Sequence, residues 1–123
     1  MYTLTVESQF SAAHFLVDYP GACKRLHGHN WKVKATVMAG DLDEMGMVID
    51  LIKLDDMLTE CLDRFDHRVI NEIEPFDKMN PTSEQIARYV FEWLAARLAP
   101  GISVKKVDVY ETDKYSVSYS KEK

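Results

Sequence analysis

The period of the apolar residues changes twice along this chain, and that restricts the fold more than any other feature. From residue 2 to 14 the apolar side chains sit on even positions (Tyr2, Leu4, Val6, Phe10, Ala12), and the odd positions are mostly polar. That alternation is the mark of a half-buried strand. A second strand is expected over 27–40, where Trp31, Val33, Ala35 and Val37 oppose Asn30, Lys32, Lys34 and Thr36 until Gly40-Asp41 breaks the pattern. The spacing then turns helical. Leu51, Leu54, Leu58, Cys61, Leu62 and Phe65 recur at three and four, behind Asp50 as N-cap. Residues Asp66 to Pro81 read as loop. A second helix is expected from about Thr82 to Ala99, with Thr82 and Gln85 as a capping box and Ile86, Val90, Trp93, Leu94 and Leu98 as its buried stripe; Pro100-Gly101 stops it. Two strands follow, around 103–111 and 114–120, joined by a turn at Thr112-Asp113. The order ββααββ predicts an α+β fold, a four-stranded antiparallel sheet with two helices on one face. Its open sheet edges make oligomerisation a reasonable expectation.

A length of 123 residues predicts a single domain over 1–123. The net charge of −5 argues against a nucleic-acid partner or a membrane surface, both of which call for a basic stripe. A locally basic pocket for a phosphorylated small molecule stays open. The N-terminus lacks the pattern of a secretory signal, and no apolar run approaches the ~20 residues needed to span a bilayer. The two cysteines, Cys23 and Cys61, do not make a disulfide scaffold, so reduced thiols in the cytoplasm are expected.

Chemistry concentrates around His27-Gly28-His29. Histidines two apart on a strand share a face, with backbones about 6.6 Å apart, and their imidazoles can converge on one ion. Gly28 is expected to keep bulk from between them. His14 ends the other strand on the parity of its apolar residues. One such histidine is usually a satisfied core residue, but three on the apolar register of neighbouring strands point to a metal. Three nitrogen ligands leave a fourth position open, the pattern of catalytic zinc.

Cys23 lies four residues before His27, beside Lys24 and Arg25. A thiol near a cation and basic side chains has a lowered pKa and serves as base or nucleophile; the plainer reading is a small buried hydrophobe. Cys61 falls on a helix stripe and reads as packing. Asp66-His67 pairs a carboxylate with the histidine whose tautomer it can fix, although such neighbours are also common on plain surfaces. Glu111 shares the parity of Val107 and Val109 and needs a partner, either an internal cation or a ligand with several N–H donors. Thr82, Ser83 and Glu84 are accounted for by helix capping and an acidic first turn.

Taken together, Phe10-Ser11-Ala12-Ala13-His14, Cys23 to Asn30, Gly46-Met47-Val48-Ile49-Asp50, Asp66-His67, Pro81-Thr82-Ser83-Glu84 and Tyr110-Glu111-Thr112 resemble the family of 6-pyruvoyl- and 6-carboxytetrahydropterin synthases. The pieces fall in family order and cover nearly the whole chain. The resemblance implies the tunnelling fold, in which such sheets join into a barrel, typically in a homohexamer with active sites between subunits. It implies Zn2+ on His14, His27 and His29, Cys23 as general base with Asp66 and His67 as relay partners, and Glu111 binding the pterin ring with Thr82, Ser83 and Glu84 nearby. Three residues between the cysteine and His-Gly-His look like the bacterial and archaeal 6-carboxytetrahydropterin synthases. The implied reaction is that of a lyase in queuosine and deazapurine synthesis. It converts 7,8-dihydroneopterin triphosphate to 6-carboxy-5,6,7,8-tetrahydropterin, losing acetaldehyde and triphosphate. A 6-pyruvoyl-tetrahydropterin synthase acting on the same substrate is one alternative. A non-catalytic pterin- or metal-binding module is the other, and such a module would need none of Cys23, Asp66 and His67.

Overall fold

In the computed structural model, which describes residues 1–18 and 24–121, β1 (Tyr2–His14) and β2 (His27–Ala39) pair antiparallel along their full length, from Tyr2 opposite Ala39 to His14 opposite His27. This register sets even residues of β1 against odd residues of β2, so their apolar sets meet on one face. Phe10, Ala12, Trp31, Val33 and Ala35 are buried there. β4 (Ser103–Thr112) lies antiparallel to β2, and β5 (Tyr115–Tyr119) antiparallel to β4. A bulge gives β4 one extra residue, because Thr36 pairs with Lys106 but Val37 with Val104. It switches the parity of β4, so that Val104 and Val107 both reach the core.

Helix α1 (Leu51–Asp63) begins where Asp50 Oδ1 accepts from the Ile52 amide at 2.9 Å, and it buries Leu54, Leu58, Cys61 and Leu62. Helix α2 (Ser83–Ala95) buries Ile86, Ala87, Val90, Phe91 and Leu94. The first packs against β1 and the second against β4 and β5, so both cover the same face of the sheet.

The sheet of the described residues has five strands where four were expected: β3 (Arg68–Val69) lies outside β1, giving the order β3-β1-β2-β4-β5. The stretch read as loop supplies this strand, parallel to Ala12 and Ala13, followed by a 3-10 turn at Ile70–Glu72. Two residues carry no periodicity, so pairing with the free edge of β1 alone makes them a strand. Helix α2 ends at Ala95, one turn before the expected Ala99. Its capping is one-sided: Thr82 Oγ1 accepts from the Gln85 amide at 3.1 Å, while the Thr82 amide donates to the Asn80 carbonyl. The β4–β5 turn falls at Asp113-Lys114, one residue later than expected.

Candidate metal centre

The β1–β2 register places His14 directly opposite His27, with His29 one diagonal step away opposite Ala12. The three rings share the helix-covered face, with centroids 4.6 Å (His14–His27), 5.3 Å (His14–His29) and 4.9 Å (His27–His29) apart. Trp31 closes the cluster from the core side, its ring 4.9 Å from His14 and 5.3 Å from His29, with its indole N–H donated to the Ala12 carbonyl. Gly28 does not stand between the histidines. Its neighbours alternate to the other face, and a Cβ there would meet the Ala12 carbonyl at an ordinary 3.7 Å.

Two of the rings are oriented by backbone carbonyls. Nδ1 of His14 lies 2.8 Å from the Pro81 oxygen, and Nδ1 of His27 lies 2.7 Å from the Arg25 oxygen. A carbonyl only accepts, so each Nδ1 carries a hydrogen, which leaves Nε2 as the ring atom available to a metal ion. Nε2 of His14 and Nε2 of His29 are buried without a hydrogen-bond partner among the described residues. Burial pushes the His14 pKa down, outweighing the bond to Pro81, and burial likewise lowers that of His29 against the pull of Glu111. Buried ring nitrogens of His14 and His29 that lack a partner among the described residues, close to the His27 ring, offer the donor atoms that a metal ion requires.

Glu111 completes the group. The ligand atoms of His14, His27, His29 and Glu111 all lie within 4.8 Å of one another. Glu111 is the extra residue of a second bulge, since Tyr110 pairs with Ser116 and Thr112 with Tyr115. Its Oε2 accepts from Ser83 Oγ at 3.2 Å, and its Oε1 sits 3.0 Å from His29 Nε2. The hydrogen-bond partner of Glu111 is therefore Ser83, with the His29 ring in contact beside it. Thr82, Ser83 and Glu84, at the start of α2, line the same cavity of about 410 Å³ as His14, His27 and Glu111.

Asp66 and His67 lie elsewhere. They precede β3, on the side of β1 away from β2. Asp66 accepts from the Ser11 amide at 2.9 Å and contacts His67 Nδ1 at 3.0 Å; the first bond, then the second, holds its carboxyl below the usual range. His67 is exposed, with φ 59°, a left-handed conformation that histidine adopts more readily than most residues. It lines a separate cavity of about 610 Å³ with Ser11, Arg68 and Glu72. Cys23 lies outside the described residues.

Two asparagines that carry no signal in the sequence hold the chain leaving β1. Asn71 bonds both the N–H and the carbonyl of Phe15, at 3.0 and 2.9 Å, and Asn80 does the same for Val17, at 2.7 and 3.0 Å. Each amide stands in for a strand neighbour. Asn80, Pro81, Thr82 and Ser83 thus form one segment that touches the β1 exit, His14, the first turn of α2 and Glu111 in succession.

Residues 3–122 match the family described as 6-pyruvoyl tetrahydropterin synthase. The chain is 34% identical to a 6-carboxy-5,6,7,8-tetrahydropterin synthase of Synechocystis, over 91% of this chain and 88% of that one. It is 39% identical to a Caenorhabditis elegans protein provisionally named 6-pyruvoyl tetrahydrobiopterin synthase, over 95% and 93%. The solved structure of a Caenorhabditis elegans 6-pyruvoyl tetrahydropterin synthase superposes with a TM-score of 0.86 at 33% identity, over 98% of this chain and 96% of that one. A sheet covered on one face by two helices, with three histidines at one end of its central hairpin, thus has relatives along its whole length, and the chain belongs to the 6-pyruvoyl tetrahydropterin synthase family, with the tunnelling fold.

Proposed function

We propose that this chain, a single pterin-binding domain over 1–123, is a zinc-dependent 6-carboxytetrahydropterin synthase of the cytoplasm. It would convert 7,8-dihydroneopterin triphosphate to 6-carboxy-5,6,7,8-tetrahydropterin with loss of acetaldehyde and triphosphate, in queuosine and deazapurine synthesis. The observation that carries this reading is the meeting of three histidine rings with a serine-bound carboxylate, their ligand atoms all within 4.8 Å of one another. His14, His27 and His29 would hold the zinc, which supplies a Lewis acid beside the side-chain oxygens of the substrate. Glu111 binds the pterin ring, whose exocyclic amine and adjacent ring N–H suit a bidentate acceptor. Ser83 steadies that carboxylate, and Thr82 and Glu84 border the ring. Cys23 moves protons on substrate carbon, with Asp66 and His67 as its relay.

Among the described residues, His67 lines one cavity and His14, His27 and Glu111 line another. This separation supports an active site completed between subunits, which in the family resemblance is that of a homohexamer. A 6-pyruvoyl-tetrahydropterin synthase remains the second reading, favoured by the 39% identity to the Caenorhabditis elegans protein. Incubating the zinc-loaded protein with 7,8-dihydroneopterin triphosphate decides between them. Acetaldehyde and a 6-carboxy product are expected; a pyruvoyl side chain with no acetaldehyde would establish the second reading, and no turnover a binding module.

A further inference from the structure

Binding a pterin accounts for Glu111 being in the cavity, but not for its contact with His29. Oε1 of Glu111 is 3.0 Å from His29 Nε2, within hydrogen-bond distance, yet that nitrogen is buried without a hydrogen-bond partner among the described residues. The carboxylate is close to the ring nitrogen and off the axis along which the ring would bond it. A pair of donors so placed is aimed at a third point rather than at each other. Two atoms bound to one tetrahedral ion, each about 2.0–2.2 Å from it, lie about 3.3 Å apart. The observed separation is close to that of two ligands of a shared metal, and all four donor atoms fall within 4.8 Å. Ser83 Oγ meanwhile bonds the other carboxylate oxygen, the orienting support that metal-bound carboxylates receive from their surroundings. The bulge at Glu111 is the local device that turns a strand residue toward the mouth of the histidine cluster.

We propose that Glu111 is a fourth protein ligand of the metal in the substrate-free protein, and that it exchanges this contact for the N–H donors of the pterin. The inference rests on the metal and pterin roles given above. Three histidines and a carboxylate make a closed set, whereas catalysis needs an open position. With one carboxylate serving both purposes, the position opens only when a pterin ring arrives. Metal and pterin then compete for Glu111, and by linkage each weakens the other's hold on it.

The test titrates zinc against a chromophoric chelator in wild type, Glu111→Gln, Glu111→Asp and His27→Ala, and records the visible spectrum of the cobalt-substituted protein with and without pterin lacking a C6 side chain. Glu111→Gln is expected to bind one zinc per chain at least about tenfold more weakly than wild type. Glu111→Asp, which keeps the charge but shortens the reach, should be weakened as well. Pterin should shift the cobalt bands of wild type and leave those of Glu111→Gln unmoved. Zinc affinity within twofold of wild type in Glu111→Gln would overturn the proposal. So would full affinity in Glu111→Asp, which would mean that the carboxylate acts only through space, or pterin binding that leaves the wild-type cobalt bands in place. Zinc binding undiminished in His27→Ala would overturn the metal site itself, a failure that the Glu111 variants do not mimic.

Discussion

At the scale of single residues, the two cysteines carry different expectations. Cys61 is fully buried on the inner side of α1, and burial pushes its thiol from an ordinary value near 9 up to about 12. A thiol that stays protonated in the fold, and ionises near 9 once unfolded, stabilises the fold fully below that value. Between pH 9 and 12 the native state holds the extra proton, so this contribution falls as pH rises. Cys61→Ala should therefore cost about 1 kcal/mol at neutral pH through lost packing, with a shallower decline above pH 9 than wild type. Denaturant unfolding at pH 7 and pH 10 measures both, and parallel declines would show that Cys61 does not titrate on unfolding. Cys23→Ala is expected to lower turnover by roughly 10²–10⁴ with zinc content and stability unchanged. Equal turnover in the two cysteine variants would remove Cys23 from the reaction. The packing role of Cys61 was legible in the sequence, because it recurs with Leu54, Leu58 and Leu62; the role proposed for Cys23 rests on its neighbours Lys24, Arg25 and His27 and on the family resemblance.

Among the elements, what could be read from the chain followed the length of the pattern. β1 and β2 alternate over thirteen residues each, and alternation fixes both strand and face, so the shared side of His14, His27 and His29 was open to inference. Glu111 was legible by parity with Val107 and Val109, but not the bulge that turns it, because a bulge depends on how a partner strand pairs. β3 and the Asn71 and Asn80 clamps depend on a free strand edge and on backbone groups, neither of which has a residue code. The Asn80 clamp has a testable consequence. It fixes Val17 and immediately precedes Pro81, whose carbonyl orients His14. Asn80→Ala should cost roughly 1–2 kcal/mol in thermal or denaturant unfolding. It should also weaken zinc binding by about tenfold, the range for losing an orienting contact behind a ligand. Asn71→Ala removes two equivalent bonds at Phe15, away from Pro81, and should match it in stability while retaining zinc. Equal zinc affinity in the two variants would mean that α2 alone positions the Pro81 carbonyl.

For the whole molecule, the question is where one catalytic unit ends. Within one chain His67 lines one cavity and His14, His27 and Glu111 line another. If one subunit brings its pair to the histidines of another, an active site draws on two chains, and two inactive variants can repair each other. Coexpressing His27→Ala with His67→Ala tests this. A site regains all its groups when its metal residues come from the His67→Ala chain and its relay pair from the His27→Ala chain. Random mixing in a closed ring meets that condition in about a quarter of sites. Each variant alone should be nearly inactive, and the mixed oligomer should recover roughly a quarter of wild-type turnover. Zinc should fall to about half of wild type, because only one of the two chains keeps its three histidines. Tandem purification through a different affinity tag on each variant ensures that every assembly measured contains both chains. Half-normal zinc without recovered turnover would place every catalytic group of a site within one chain.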